Sequence, residues 1–143
     1  MKKQMITVTI EVQAPIEQIW KLWNDPKDIQ QWNNINDDWH TPLVQNDLRI
    51  GGHFLYRMGT KDGRFSFDFT GKYDEVKEHK FISYTLTSGR TASIAFSQNY
   101  PVKITETFEP DNEPSLKEQR DFCQAILQSF KSYVEYKLAN PYF

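Results

Sequence analysis

Two groups of residues in this sequence could carry acid–base chemistry, and the first is a histidine near a carboxylate. His40 follows Asp38 by two residues beside Trp39 in a polar segment, which would allow proton transfer at the mouth of a cavity. No candidate nucleophile lies near His40 in the sequence, so a solvated loop histidine is the simpler interpretation. His40 is kept as a candidate ligand contact, and catalysis by it stays an open alternative.

The second group joins a strand and a helix. Glu106 falls on the same alternating face of its strand as Val102 and Ile104, which predicts an inward carboxylate that is costly to bury alone. Arg120 falls on the apolar stripe of the predicted C-terminal helix and should reach a similar depth. We therefore predict an ion pair between Glu106 and Arg120, which either closes one end of a cavity or anchors the polar head of a ligand.

A metal site is not expected from the sequence, and nucleotide or serine-hydrolase chemistry has little support in it. The histidines lie in different segments without the spacing of a metal site, at His40, His53 and His79. No serine lies in a strand-to-helix elbow motif, and no glycine-rich loop opens a helix after a strand. Cys123, the single cysteine, lies on the helix stripe, where packing is favoured over a reactive thiol. We predict neither a metal nor a cofactor.

The length and charge of the chain narrow the classes of partner. A chain of 143 residues fits one domain, which we place at 1–143. The net charge of -2 gives no basic footprint, so nucleic acid and anionic membrane surfaces are not expected partners. No apolar run reaches bilayer length, and residues 6–12 alternate like a strand where a signal peptide would be apolar. We expect a cytoplasmic protein without membrane insertion, whose oligomeric state, a homodimer included, stays open.

One long amphipathic helix organises the predicted fold. From Ser115 to Leu138 apolar residues recur at steps of three and four, with charged and amide residues on the opposite face. Ser115 and Glu118 have the spacing of a capping box, and Asn140 before Pro141 marks the end. A helix of this length needs a broad apolar partner.

The preceding segments predict that partner, a curved antiparallel sheet. Residues 5–13 alternate as a strand, short helices then begin at Pro15 and at the Asp25-Pro26 cap, and the polar residues 33–42 are predicted to form a loop. Turn residues separate six further strands: Leu48–Ile50, Phe54–Met58, Phe65–Val76, Phe81–Leu86, Ala92–Phe96 and Val102–Phe108. Short connections favour antiparallel neighbours. The layout predicts an α+β fold in which a sheet of about seven strands wraps around the long helix.

Aromatic residues are the main candidates for lining a cavity between the sheet and the helix. Trp20 and Trp23 recur at helical spacing and are interpreted as core residues. Trp32 and Trp39 flank the polar loop, so they are better placed to contact a ligand or to guard an entrance. Three further candidate rings lie on apolar strand faces, at Tyr56, Phe67 and Tyr84.

Several short motifs occur in a characteristic order along the chain. They are Ala14-Pro15, Ile19-Trp20, Asp38-Trp39-His40-Thr41-Pro42, Asp47-Leu48-Arg49-Ile50-Gly51-Gly52, Thr105-Glu106-Thr107-Phe108-Glu109 and Glu118-Gln119-Arg120. In that order they resemble the helix-grip fold of the SRPBCC superfamily, which includes START-type lipid carriers and small polyketide cyclases. The closest resemblance is to the branch named for the activator of the heat-shock chaperone ATPase. That branch usually places a glycine and a tryptophan where this chain has Phe122 and Cys123, so the resemblance implies an interior that is either roomier or refilled by Phe122.

The resemblance implies a protein with a ligand cavity. Superfamily members typically hold an apolar ligand between sheet and long helix, and some use the cavity for cyclisation or hydrolysis. Chaperone-activating members usually carry a preceding domain that this sequence does not contain, so a chaperone-interaction module ranks lower. We therefore predict binding of a small, largely apolar ligand, with an enzyme of the cyclase or hydrolase kind and a chaperone-interaction module as alternatives. The predicted ligand contacts are Trp32, Trp39, His40, Tyr56, Phe67, Tyr84, Glu106, Arg120 and Cys123.

Overall fold

The computed structural model describes residues 4–140, and within them seven strands form one sheet that packs with three helices. In chain order the elements are β1 Ile6–Val12, α1 Ile16–Asn24, α2 Pro26–Trp32, β2 Trp39–Asn46, β3 His53–Thr60, β4 Ser66–Lys77, β5 Phe81–Leu86, β6 Thr91–Phe96, β7 Val102–Phe108 and α3 Leu116–Ala139. The antiparallel sheet has the order β1-β7-β6-β5-β4-β3-β2 and curls into a half-barrel. The predicted α+β helix-grip fold is confirmed.

The long helix α3 begins at the predicted cap. The Ser115 Oγ accepts a hydrogen bond from the Glu118 backbone N–H at 3.1 Å. The Glu118 carboxylate accepts from the Ser115 hydroxyl at 3.2 Å, whereas a complete capping box would use the Ser115 backbone N–H. Leu127, Phe130 and Val134 are fully buried and anchor the helix in the core. No helix within residues 4–140 is long and apolar enough to cross a membrane.

Side chains of α3 also cover the edge strand β1. Nε2 of Gln124 donates a hydrogen bond to the Thr9 carbonyl oxygen at 2.9 Å. Nζ of Lys131 donates to the Glu11 carbonyl oxygen at 2.7 Å. These bonds satisfy backbone groups that an uncovered edge strand would offer to another chain. They also fix α3 along β1, with its apolar stripe toward the interior of the half-barrel.

The second strand lies earlier than predicted. β2 spans Trp39–Asn46, so the predicted loop 33–42 contains the start of a strand, while Leu48–Ile50 belongs to a turn. Pro42 argued against a strand because proline cannot donate to a ladder. The register of β2 against β3 shifts after His40, so Pro42 falls in an irregularity of the ladder where no donor is needed.

Gly71 allows an aromatic ring to lie across the sheet. It pairs with Phe54 of β3, and a Cβ at Gly71 would lie 2.7 Å from the Phe54 ring and 2.8 Å from the Thr85 carbonyl oxygen. The Phe54 ring therefore occupies the gap that glycine leaves on the face of β4. The register then shifts between Tyr73 and Glu75, which bends the strand and adds to the curl of the sheet.

Candidate functional site

A cavity of about 640 Å³ lies between the half-barrel and α3. Rings from β3, β4 and β5 form one wall, among them Phe54, Phe67 and Tyr84, because residues two apart on a strand point to the same face. Phe122 and Ile126 of α3 belong to the opposite wall. A concave site with a mainly aromatic and aliphatic lining is suited to an apolar molecule.

Trp39 lies on the cavity wall beside an exposed ring. Its ring centroid is 5.8 Å from that of Phe65 and 6.1 Å from that of Phe122. Phe65 is 54% exposed, so this aromatic cluster lies where the cavity meets solvent. Trp39 thus occupies the mouth of the cavity, although it does so as the first residue of β2 and not within a loop.

Replacing Trp39 by phenylalanine should reduce the quenching of tryptophan fluorescence by a neutral dye in the cavity. N-phenyl-1-naphthylamine is a suitable probe because it is uncharged and absorbs where tryptophan emits. Trp20→Phe is the matched control, since Trp20 packs against Phe96 and is absent from the cavity wall. If both variants lost the same share of the quenching, Trp39 would not be a contact of the dye.

A polar cluster formed by Glu106, Cys123, Tyr56 and Tyr84 faces the apolar cavity. The Cys123 thiol on α3 donates a hydrogen bond to Oε2 of Glu106 on β7. Burial raises the pKa of Glu106, and the bond from Cys123 opposes part of that rise. Burial also raises the pKa of Cys123, with the negative charge of Glu106 as a further cause. The thiol therefore stays protonated and acts as a donor, not as a nucleophile.

The two phenols of the polar cluster are neutral donors. Burial raises the pKa of both Tyr56 and Tyr84 well above the ordinary tyrosine value, and the charge of Glu106 adds to both shifts. Within residues 4–140 neither hydroxyl has a hydrogen-bond partner, and neither has the Glu106 oxygen that Cys123 does not contact. Three polar atoms in an apolar cavity can therefore bond to a bound molecule.

Glu106→Gln should change the dependence of stability on pH. Folded Glu106 keeps its proton to a higher pH than the unfolded chain does, so its contribution to stability is present below the unfolded pKa and is lost as the pH rises through the folded pKa. Glutamine imitates the protonated carboxyl at every pH. The variant should therefore be more stable than the wild type at neutral pH, and the two should converge below about pH 4.

Urea unfolding across this pH range measures the effect of Glu106→Gln. Glu11→Gln, at an exposed position on β1, is the control and should show no such divergence. A wild type that is more stable than Glu106→Gln at neutral pH would mean that the folded protein favours the ionised carboxylate.

The structure brings most of the predicted ligand contacts to this cavity and leaves two outside it. Those on its wall are Trp32, Trp39, Tyr56, Phe67, Tyr84, Glu106 and Cys123. Trp32 is only 2% exposed, so its main role is in the core. His40 lies instead on a second, more polar cleft with Gln30 and Lys61, which shares only Trp39 with the cavity wall. Arg120 is exposed on α3 and lines neither space.

The predicted ion pair between Glu106 and Arg120 is wrong. Cys123, about one helical turn further along α3, contacts Glu106, whereas Arg120 is exposed to solvent. The beginning of α3 is largely exposed, with Leu116 at 38%, so the buried stripe starts later than the spacing of apolar residues suggested. A raised pKa and the bond from the thiol accommodate the buried carboxyl in place of an arginine.

Sequence reasoning missed the charged groups at the cavity mouth, here called the charged rim. They are Arg90, Glu109, Asp111, Glu113 and Glu118. Gln119 holds the loop between β7 and α3, because its Nε2 donates to the carbonyl oxygens of Asp111 and Pro114 at 3.0 and 2.7 Å. Its Oε1 accepts from the Asp111 backbone N–H at 2.8 Å. The sequence feature that could have indicated this rim is the group of acidic residues between the last strand and the long helix, at Glu109, Asp111 and Glu113.

Solved structures of other proteins share this fold, at 18% to 43% sequence identity. The family model described as Activator of Hsp90 ATPase homolog 1-like protein matches residues 13–135. The solution structure of such a protein from Aeromonas hydrophila is 33% identical with a TM-score of 0.88, over 98% of both chains. A protein from Cytophaga hutchinsonii is 43% identical with a TM-score of 0.77, over 96% of this chain and 95% of that one. A crystal structure from Nitrosomonas europaea, 18% identical over 94% of this chain and 96% of that one with a TM-score of 0.79, shares the fold. No curated protein matches the chain.

Proposed function

The chain belongs to the family of Activator of Hsp90 ATPase homolog 1-like proteins, and we propose that it binds a small, largely apolar molecule in the cavity between the sheet and α3. The observation that carries this proposal is the cavity itself, whose volume of about 640 Å³ is typical of small-molecule sites. Its aromatic walls supply apolar contact, and the polar cluster supplies a few oriented hydrogen-bonding groups. The proposal includes two further statements: the chain forms a single domain, and the protein is located in the cytoplasm.

Titration with N-phenyl-1-naphthylamine tests the proposal. The dye fluoresces weakly in water and strongly in an apolar site, so we expect saturable enhancement with one dye bound per chain. Unlabelled 1-decanol should displace it, because both molecules are uncharged and largely apolar. If neither compound showed saturable binding, the cavity would not serve as a general apolar site and the proposal would fail.

Catalysis in the same cavity is the second candidate, and Glu106 favours it. A carboxyl whose pKa burial raises, inside a cleft, is a typical candidate for a general acid or base. Hydrolysis of p-nitrophenyl decanoate tests this candidate for the hydrolase class. Glu106→Gln should abolish any turnover above the rate in buffer while leaving the affinity for N-phenyl-1-naphthylamine nearly unchanged. Equal turnover by both proteins would exclude Glu106 as the catalytic group.

A chaperone-activating role, named in the family description, ranks behind both cavity functions. Such a role would use an outer surface and would not need the cavity to be open. Stimulation of a purified Hsp90 ATPase by this protein would support that role, and stimulation that is unchanged by 1-decanol would show that it does not depend on the cavity.

A further inference from the structure

The carboxyl groups of the cavity and of the charged rim point to a selection of ligands by charge. We infer that the cavity accepts apolar molecules that end in a hydroxyl or an ammonium group and rejects those that end in a carboxylate. This inference rests on the proposed function and adds to it the chemical class of the ligand's polar end.

Negative side chains predominate at the mouth of the cavity. The charged rim contains four carboxyl groups and a single guanidinium, that of Arg90. The guanidinium is already engaged, because its Nη2 lies 3.6 Å from Oδ2 of Asp111. Among the residues of the charged rim, carboxyl groups therefore outnumber guanidinium groups, and an anionic ligand that enters the cavity passes more negative than positive side chains. Salt weakens the field of these exposed charges over about 8 Å at physiological ionic strength, so the rim alone gives a modest selection.

The polar cluster also selects by charge, and it lies inside the cavity, where screening by salt is weaker. Glu106 offers the oxygen that Cys123 does not contact, and this atom accepts hydrogen bonds. A ligand hydroxyl can donate to this oxygen and accept from the hydroxyl of Tyr56 or Tyr84. An ammonium can donate to the Glu106 oxygen and to both phenol oxygens, which also accept hydrogen bonds.

A ligand carboxylate fits the same cluster poorly. It could accept hydrogen bonds from Tyr56 and Tyr84, but it would lie beside the Glu106 carboxyl in an apolar cavity. Two carboxyl groups that share such a site cannot both ionise without strong repulsion, so one of them must hold a proton. Within residues 4–140 the cavity wall beyond the charged rim contains no lysine, arginine or histidine to balance the charge.

Competition among three decyl compounds tests the inference. 1-Decanol, decylamine and decanoate share one chain length and differ in the charge of the head group at neutral pH. Each is used, below its aggregation concentration, to displace N-phenyl-1-naphthylamine from the protein. We expect decylamine to displace the dye at a concentration at least tenfold lower than decanoate does. Decylamine and decanoate carry charges of equal magnitude and opposite sign, so the cost of desolvating one unit charge does not by itself explain a preference between them.

Two sets of variants locate the origin of the selection. The quantity compared is the concentration of decanoate that displaces the dye divided by that of decylamine. Glu106→Gln should reduce this ratio at least threefold. The double variant Glu113→Gln/Glu118→Gln should reduce it less, and mainly at low salt. Glu11→Gln/Glu17→Gln changes the net charge by the same amount at exposed positions outside the cavity and should leave the ratio unchanged.

The outcomes separate this inference from the function on which it rests. If neither the dye nor 1-decanol bound saturably, the proposed function would fail. If the dye bound but 1-decanol did not displace it, the cavity would not accept a hydroxyl-ended ligand and this inference alone would fail. If 1-decanol displaced it but decanoate bound as tightly as decylamine, the cavity would bind ligands without selecting them by charge. A preference for decylamine that survived unchanged in Glu106→Gln and in the rim variant would overturn the assignment of the selection to these carboxyl groups.

Discussion

Trp32→Ala is expected to destabilise the protein by about 3–5 kcal/mol, the range for removing a large buried ring from a core. The Trp32 ring lies 5.0 Å from that of Trp23 and 4.8 Å from that of Phe130, so it joins α1, α2 and α3 in one aromatic cluster. Its Nε1 also donates to the Leu22 carbonyl oxygen at 2.9 Å. Truncation would therefore leave a void and remove a buried hydrogen bond.

Trp39→Ala is the matched control for Trp32→Ala. Both rings line the cavity, but Trp39 is only partly buried at the mouth, so its removal should cost much less stability. Urea unfolding of both variants gives the comparison directly. If the two substitutions cost the same free energy of unfolding, Trp32 would not have the core role that its burial indicates.

Cys123→Trp is expected to weaken the binding of N-phenyl-1-naphthylamine more than tenfold while the protein stays folded. Cys123 lies on the cavity wall beside Phe122, so an indole there would occupy space that the dye needs. The added ring would fill an existing cavity instead of overpacking a full core, and the melting temperature should be maintained or raised. Dye titration and thermal unfolding of the same sample measure both effects.

Cys123→Ser separates the volume of the new side chain from the loss of the thiol. Serine keeps a donor for Glu106 and leaves the cavity open, so dye binding should remain close to that of the wild type. A Cys123→Trp protein that bound the dye with unchanged affinity would place the dye elsewhere. A loss of several kcal/mol of stability would show that the space beside Cys123 is already filled.

The fold was predictable from periodicity, and its one misplaced strand shows the limit of that signal. The alternation of Ile6, Val8 and Val12 and the cap at Ser115 correspond to the observed β1 and α3. β2 was misplaced because Pro42 interrupts its alternating pattern. Only the pairing with β3 reveals the irregularity in the ladder that accommodates the proline. Pairing across a sheet is a property of two segments, which a pattern within one segment does not contain.

The candidate site was predictable where a side chain's direction follows from its own strand. Tyr56, Tyr84 and Glu106 face the cavity for that reason. The partner of Glu106 depends on how α3 is rotated about its axis and on where its buried stripe begins. The spacing of apolar residues along the helix determines neither of these. Arg120 and Cys123 lie one turn apart, so a small difference in that starting point exchanges one for the other.

Isotope-filtered nuclear Overhauser measurements on labelled protein saturated with 1-decanol test the central claim most directly. If the cavity holds the ligand, protons of the decyl chain should show cross-peaks to Tyr84 on the sheet and to Ile126 on α3, which line opposite sides. Cross-peaks confined to exposed residues away from the cavity, such as Ile50 and Tyr100, would contradict it, because the molecule would then bind only to the outer surface.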